Sequence, residues 1–297
     1  MSYVNVFVAS EAYIHVENKQ LVLSGAKQMS FPLEDINSVI VENRNTQVSV
    51  CALTEIAAAG GVVFWCDEKH LPTTVTLPSS TFYRKLKAIR AQTGASKPLI
   101  KQLWQKVVKQ KIANQAECLK LCGKPEYERV AEIGKRVLSG DSENREAEAA
   151  AVYFKALFGK DFVRSADCNI NFALNYGYAV MRGLVARTIV CHGFEPSLGI
   201  FHCNELNPFN LADDLMEPLR PVVDLFAFTY PPIQVIQSVY KKEICNLMNA
   251  DVLSGGERHS VTHSVERMIS SFAKSLYSGE ADLQLPQLLP LFMHEYE

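Results

Sequence analysis

The sequence predicts an α+β chain, a small N-terminal β domain followed by a larger all-α domain, and three observations carry that reading. Apolar residues alternate with period two through the first eighty positions. After residue 82 they recur at three-to-four spacing to the end. Between the two textures lies LPTTVTLPSST (71–81), whose two prolines and four threonines read as a linker. These set the expected domains at 1–82 and 83–297.

In the β part, Val4, Val6 and Val8 alternate, then Ile14 with Val16, then Leu21 with Leu23. INSVIVEN (36–43) is the next strand, and GVVFWCD (61–67) reads as a more buried one. VSVCALTEIAAAGG between them has the spacing of a short helix ending at Gly60-Gly61. Helices then follow at YRKLKAIRAQTG and PLIKQLWQKVVKQKIANQAECLKL, punctuated by Gly94 and Pro98. Further helices are expected at ENREAEAAAVYFKALFG, INFALNYGYAVMRGLVARTIVCHG and LADDLMEPLRPVVDLFAF, from Pro232 onward, and at GERHSVTHSVERMISSFAKSLYSG. The last residues, with Glu295 and Glu297, return to acid.

Composition narrows the function classes. The chain has 297 residues, 48% hydrophobic and 21% charged, which is ordinary for a globular protein. The start, MSYVNVFVASEAYIHVE, lacks the basic and apolar regions of a signal peptide, and no stretch is long and apolar enough for a membrane span. Eight scattered cysteines then read as reduced thiols of a cytoplasmic protein. Cys118 and Cys122, four apart on a helix, read as core because no second pair accompanies them. The net charge of −2 conceals an asymmetry: from Lys69 through Ala116 there is no Asp or Glu, yet ten of the thirty Lys and Arg fall there. A solvated helix face accounts for such a run, and so does a surface that meets phosphate; its length without acids favours the second.

The candidate chemistry lies in GIFHCNELNPFNLADDLMEP (199–218), where His202 precedes Asp213, Asp214 and Glu217. Offsets of three and four bring the acids together on one face with Arg220 and Asp224. Acids near a helix N-terminus are also favoured by the helix dipole, so a solvated surface face fits the same pattern. Upstream, Glu146 shares the inward stripe of its helix with Ala149, Ala150, Tyr153 and Leu157, whereas Glu148 lies opposite with Val152 and Lys155. A carboxylate on a buried face needs an ion partner or a metal, and an Arg neighbour or a frayed helix start would equally satisfy it. Imidazole with carboxylates suits Mg²⁺ or Mn²⁺. His259 and His263 lack an HExxH glutamate, no nucleotide-binding loop or GxSxG elbow occurs, and metal-assisted chemistry is favoured over covalent catalysis.

At these residues the chain resembles the CRISPR adaptation integrase family, the endonuclease numbered first among CRISPR-associated proteins, and its type II branch most closely. Matching blocks run along nearly the whole chain: MSFPLEDINSVIVEN, FWCDEKHLPT, KQKIANQAECL, NREAEAAAVYFKALFG, LNYGYAVMRGLVARTIVCHGFEPSLGIFH and NPFNLADDLMEPLRPVVD. The family's metal ligands sit in a Glu-Gly-x-Ala-Ala-x-x-Tyr block, a Leu-Gly-x-x-His block and an acid of Asp-Leu-Met-Glu. Carried over, they are Glu146, His202 and Glu217, with Asp214 in support; the family glycine is Ala147 here.

The resemblance implies an N-terminal β-sandwich, a helical catalytic domain and a homodimer formed through the N-terminal part. It implies a prokaryotic, cytoplasmic DNA endonuclease and integrase. A 3′-hydroxyl of a short captured duplex attacks a phosphodiester at a CRISPR repeat edge, with Mg²⁺ or Mn²⁺ as cofactor. Partners would be double-stranded DNA and a dimer of a small ferredoxin-like second adaptation protein, with room for other type II CRISPR proteins and no membrane. Arg84, Lys85, Lys87, Lys106, Lys109 and Lys111 are the expected DNA contacts. A structure-specific repair nuclease and a non-catalytic DNA-binding scaffold are the alternatives.

Overall fold

The computed structural model describes residues 4–78, 84–232 and 238–294. The N-terminal part contains β1 (Val4–Val8), β2 (Tyr13–Glu17), β3 (Gln20–Ser24), β4 (Met29–Pro32), β5 (Ile36–Val41), β6 (Gln47–Val48), α1 (Val50–Ala58), β7 (Val62–Cys66) and β8 (Pro72–Thr76). They form two four-stranded sheets, ordered β4-β3-β2-β6 and β1-β5-β7-β8. In the second, β1, β5 and β7 run parallel and β8 returns antiparallel. The β2–β3 hairpin turns on Asn18 and Lys19, both at positive φ, the turn whose twist matches its strands. Ser49 caps α1 by accepting from the Ala52 amide.

Both sheets contribute to one apolar cluster, with Ile14, Leu21 and Leu23 meeting Val6, Val39, Val41 and Val63, and α1 adding Ala52 and Ile56. Alternation sends the other face of the second sheet the opposite way. Ile40, Val62 and Phe64 belong to the larger core of the helical region.

That region runs α2 (Lys85–Thr93), α3 (Lys97–Leu121), α4 (Tyr127–Lys135), α5 (Arg145–Phe158), α6 (Asn169–Cys191), α7 (Asn210–Met216), α8 (Arg220–Thr229), α9 (Ser238–Asn246), β9 (Ala250–Ser254), β10 (Glu257–Ser260), α10 (Val261–Ser278) and β11 (Gln287–Met293). α6 crosses the second sheet so closely that a Cβ at Gly183 would fall 1.9 Å from the Phe64 ring. Arg187 of α6 donates to the Gly60 carbonyl and pairs with Glu266 at 2.9 Å. Pro98 occupies the first turn of α3, where its missing N–H costs nothing.

The structure corrects the sequence reading at three places. The helical part is not all-α: β10-β9-β11 is an antiparallel sheet. Its β9–β10 hairpin turns on Gly255-Gly256, both at positive φ, a two-residue signal that the helical periodicity around it masked. The late helix therefore starts at Val261, with Ser260 as its cap. The supposed linker at 71–81 contains an edge strand, β8, in which Thr73, Thr74, Val75 and Thr76 are β-formers and Pro72 stands first, where it costs no ladder bond. The helix expected over 211–228, in which Pro218 leaves the Asp214 carbonyl without its helical donor and predicts a kink, is interrupted further than that: it divides into α7, a 3₁₀ turn (Glu217–Leu219) and α8, with Pro221 in the first turn of α8. Residues 79–83, which include the expected domain boundary, and Glu295 and Glu297 lie outside the described residues. β4, β6 and α4 were not anticipated.

Candidate metal centre

Asp214 on α7 is fully buried and organises the loop that carries His202. Its carboxylate accepts from the backbone amides of Ile200 at 2.7 Å, Phe201 at 2.9 Å and His202 at 3.2 Å. Oδ1 also lies 2.6 Å from His202 Nδ1. The loop wraps so tightly that a Cβ at Gly199 would stand 2.2 Å from the His202 carbonyl oxygen, so only glycine fits. With Nδ1 engaged, Nε2 is the ring nitrogen left for a ligand. The Asp214 hydrogen bond raises the His202 pKa against the opposing effect of burial, and Glu217 and Asp213 add to the rise. The ring also lies edge-on to Trp104 of α3, itself stacked on Phe201 at 4.3 Å.

Glu146 and Glu217 meet at a different point. Asp141 holds the start of α5 by accepting from the amides of Arg145 at 2.8 Å and Glu146 at 3.1 Å. Glu146 Oε1 then reaches Lys111 Nζ at 2.5 Å, and Glu217 Oε2, arriving from the 3₁₀ turn after α7, touches the same ammonium. Glu217 Oε1 takes the Arg220 guanidinium at 2.8 Å. Burial alone would raise the Glu217 pKa, but Arg220 and Lys111 outweigh it and hold it down to about 2. Burial would likewise lower that of Lys111, yet Glu217 and Glu146 keep it above its ordinary value.

The acids that sequence spacing grouped on one face are thus separated by what covers them. Asp213 accepts from the Asn207 side chain at 2.7 Å. Asp224 is buried against the hydroxyls of Tyr153, at 2.9 Å, and Tyr178; burial pushes its carboxyl up to about 6 despite these bonds. A solvated face is excluded for Asp214, Glu217 and Asp224, all 3% exposed or less. Glu148 pairs with Arg145 and Arg136 at the rim of the same helix.

Of the expected DNA contacts, Arg84, Lys85, Lys87, Lys106 and Lys109 are exposed, while Lys111 is buried between the two glutamates. That placement corrects its reading as a surface contact. A sequence signal was present: Lys111 continues the buried stripe of Trp104, Val107 and Val108 on α3. A cavity of about 490 Å³ opens beside His202, lined by Gln92, Ser197, Asn204, Asn207 and Asn210 among others.

Among the described residues, no three His, Cys, Asp or Glu side chains are grouped tightly enough to hold a metal ion. The donors nonetheless fit one in kind. Two carboxylates already converge on a single cationic atom, and the His202 ring is locked by Asp214. Carboxylate oxygens with one imidazole suit a hard divalent ion. His202 is not part of the glutamate pair itself. No described helix is long and apolar enough to cross a membrane.

The family model described as CRISPR associated protein Cas1 matches residues 6–243. A CRISPR-associated endonuclease Cas1 from Neisseria meningitidis serogroup C (strain 8013) is 38% identical over 304 aligned residues, covering all of both chains. Among solved structures, a casposase bound to integration product superposes with a TM-score of 0.77 at 19% identity, over 95% of this chain and 92% of that one. A chain of a Cas6-RT-Cas1–Cas2 complex gives 0.74 at 14% identity, over 97% of this chain and 36% of that one. The likeness to these two is one of fold.

Proposed function

The chain belongs to the CRISPR-associated Cas1 family, and from that premise we propose that it is a metal-dependent DNA integrase and endonuclease of CRISPR adaptation. It joins the 3′-hydroxyl ends of a short captured duplex to the repeat array by transesterification. The observation that carries this reading is the convergence of Glu146 and Glu217, from α5 and the turn after α7, on one cation beside the His202 loop. Glu146, Glu217 and His202 are the residues that would hold Mg²⁺ or Mn²⁺, and the ion when bound supplies charge stabilisation at the reacting phosphate. Asp214 holds the imidazole by Nδ1 and the loop by three amides, so His202 is oriented before substrate arrives. Arg220 keeps Glu217 ionised and fixes its second oxygen.

The attacking 3′-hydroxyl gives up its proton and bonds to phosphorus as the bond from phosphorus to the 3′-oxygen of the cut target strand breaks, and that oxygen takes up a proton and leaves as a hydroxyl. One phosphodiester replaces another, and no covalent enzyme intermediate is needed. Exposed Arg84, Lys85, Lys87, Lys106 and Lys109 hold the duplex backbone through salt-sensitive phosphate contacts. The two packed sheets within residues 1–82 serve as a dimerisation sandwich, and residues 83–297 form the catalytic domain. The superposed complex joins Cas1 with Cas2, which supports a Cas2-type partner; we take that partner to be a dimer of a small ferredoxin-like protein.

The test combines the purified chain, its small partner, a labelled short duplex and a repeat-bearing supercoiled plasmid with Mn²⁺. Joined strands that vanish with a chelator are the expected result. Cleavage without joining would instead indicate a repair nuclease, and neither product a non-catalytic scaffold.

A further inference from the structure

The position of Lys111 carries a consequence beyond the assignment of ligands, and one that rests on it. The ammonium lies 2.5 Å from Glu146 Oε1 and in contact with Glu217 Oε2. Its stem comes from the buried stripe of α3, and the residue is 8% exposed. A divalent ion bound by the same two oxygens needs distances of about 2.0–2.6 Å. An ammonium already at hydrogen-bond distance from both stands where that ion would stand, and two like charges cannot share the space. Charge leads to the same conclusion. Lys111 and Arg220 together balance Glu146 and Glu217. A divalent ion arriving with Lys111 still in place would leave two uncompensated positive charges in a buried setting.

We propose that Lys111 is a resident counter-cation: it holds Glu146 and Glu217 on one point in the metal-free chain, and a divalent ion enters only by displacing its ammonium. Lys111 is thereby a positioning residue that sets the metal affinity of the site. Without it the two acids repel and the fold loses stability, but the cation site has no competitor. Arg220 does not share this role, because it engages the other oxygen of Glu217.

The experiment is a calorimetric titration of Mn²⁺ into the full chain, for wild type, Lys111→Met and Lys111→Arg, alongside thermal melts with and without Mn²⁺. Lys111→Met removes the competitor at similar length, so its Mn²⁺ dissociation constant should fall about tenfold or more, while its metal-free melting temperature drops and Mn²⁺ restores it. Lys111→Arg keeps the charge and can fork onto both carboxylates, so its Mn²⁺ binding should be weaker than that of wild type. Equal affinity in all three proteins overturns the proposal, as does loss of Mn²⁺ binding in Lys111→Met alone. Should Lys111→Met fail to fold, Lys111→Arg decides: unchanged affinity there overturns it. A wild type that neither binds Mn²⁺ nor joins DNA, with Lys111→Met equally unable to bind, would sink the metal-site reading itself. Normal wild-type binding, unmoved by either variant, sinks only the displacement.

Discussion

Among the described residues, two lysines are buried against carboxylates, and their surroundings differ in one respect. Lys241 of α9 meets a single acid, Glu42 at the end of β5, whose same oxygen also lies 3.1 Å from His70. Lys111 meets two acids, carried on separate elements. The first is one acid shared by two bases, tying α9 to the N-terminal sheet. The second is two acids drawn onto one base, which is what a removable cation requires. A buried ion pair is weak evidence for function, and sometimes for stability too. Convergence of two carboxylates on one atom separates these clusters.

Glu217→Gln should break the comparison most strongly. It leaves Lys111 with one partner and Arg220 with none of its charge pairing, at a cost of about 3 kcal/mol in chemical denaturation, and it abolishes strand joining. Glu42→Gln should cost a similar amount, since Lys241 loses its only carboxylate in the described ion pairs, yet joining and Mn²⁺ binding should survive in the folded protein. A Glu42→Gln protein that folds but cannot join DNA would erase the distinction between the two clusters.

A third buried acid sharpens it. Among the described residues no cation pairs directly with Asp224, which is held by Tyr153 and Tyr178, and burial takes its carboxyl from 3.8 to about 6. The folded state then keeps a proton that the unfolded chain has released. Stability should therefore fall as pH rises from about 4 to about 6, by on the order of 2 kcal/mol. Asp224→Asn should flatten that part of the profile; an unchanged slope in urea denaturation across this range would refute the assignment. The smallest effect is expected at the surface. Replacing Lys106 and Lys109 with Gln should reduce the salt slope of duplex binding by up to about 2 and leave Mn²⁺ affinity as it was.

How much of this was legible in the sequence depends on what each residue faces. The offsets of α5 point Glu146 inward and Glu148 outward, and the structure puts Glu146 on buried Lys111 and Glu148 on rim arginines. Periodicity sufficed because the stripe lies within one helix. Asp213, Asp214, Glu217 and Asp224 fit a solvated face equally well, because spacing marks a shared side without saying what covers it. The covering groups come from far away: Lys111 from α3, Tyr153 from α5, Tyr178 from α6. Lys111 itself was submerged in a run of basic residues, and its place on an apolar stripe was the only local clue. The strands β9 to β11 escaped for another reason. β9 and β10 are short, a long helix separates them from β11, and one of the two pairings joins β9 to β11 across it.

Glu146 and Glu148 share the first turn of α5, and the proposed function puts only Glu146 at the reaction centre. The direct measurement is strand joining by Glu146→Gln and Glu148→Gln, each with the small partner, labelled duplex, repeat-bearing plasmid and Mn²⁺. No joined product is expected from Glu146→Gln, and a wild-type yield from Glu148→Gln. Joining at the wild-type rate by Glu146→Gln would contradict that placement.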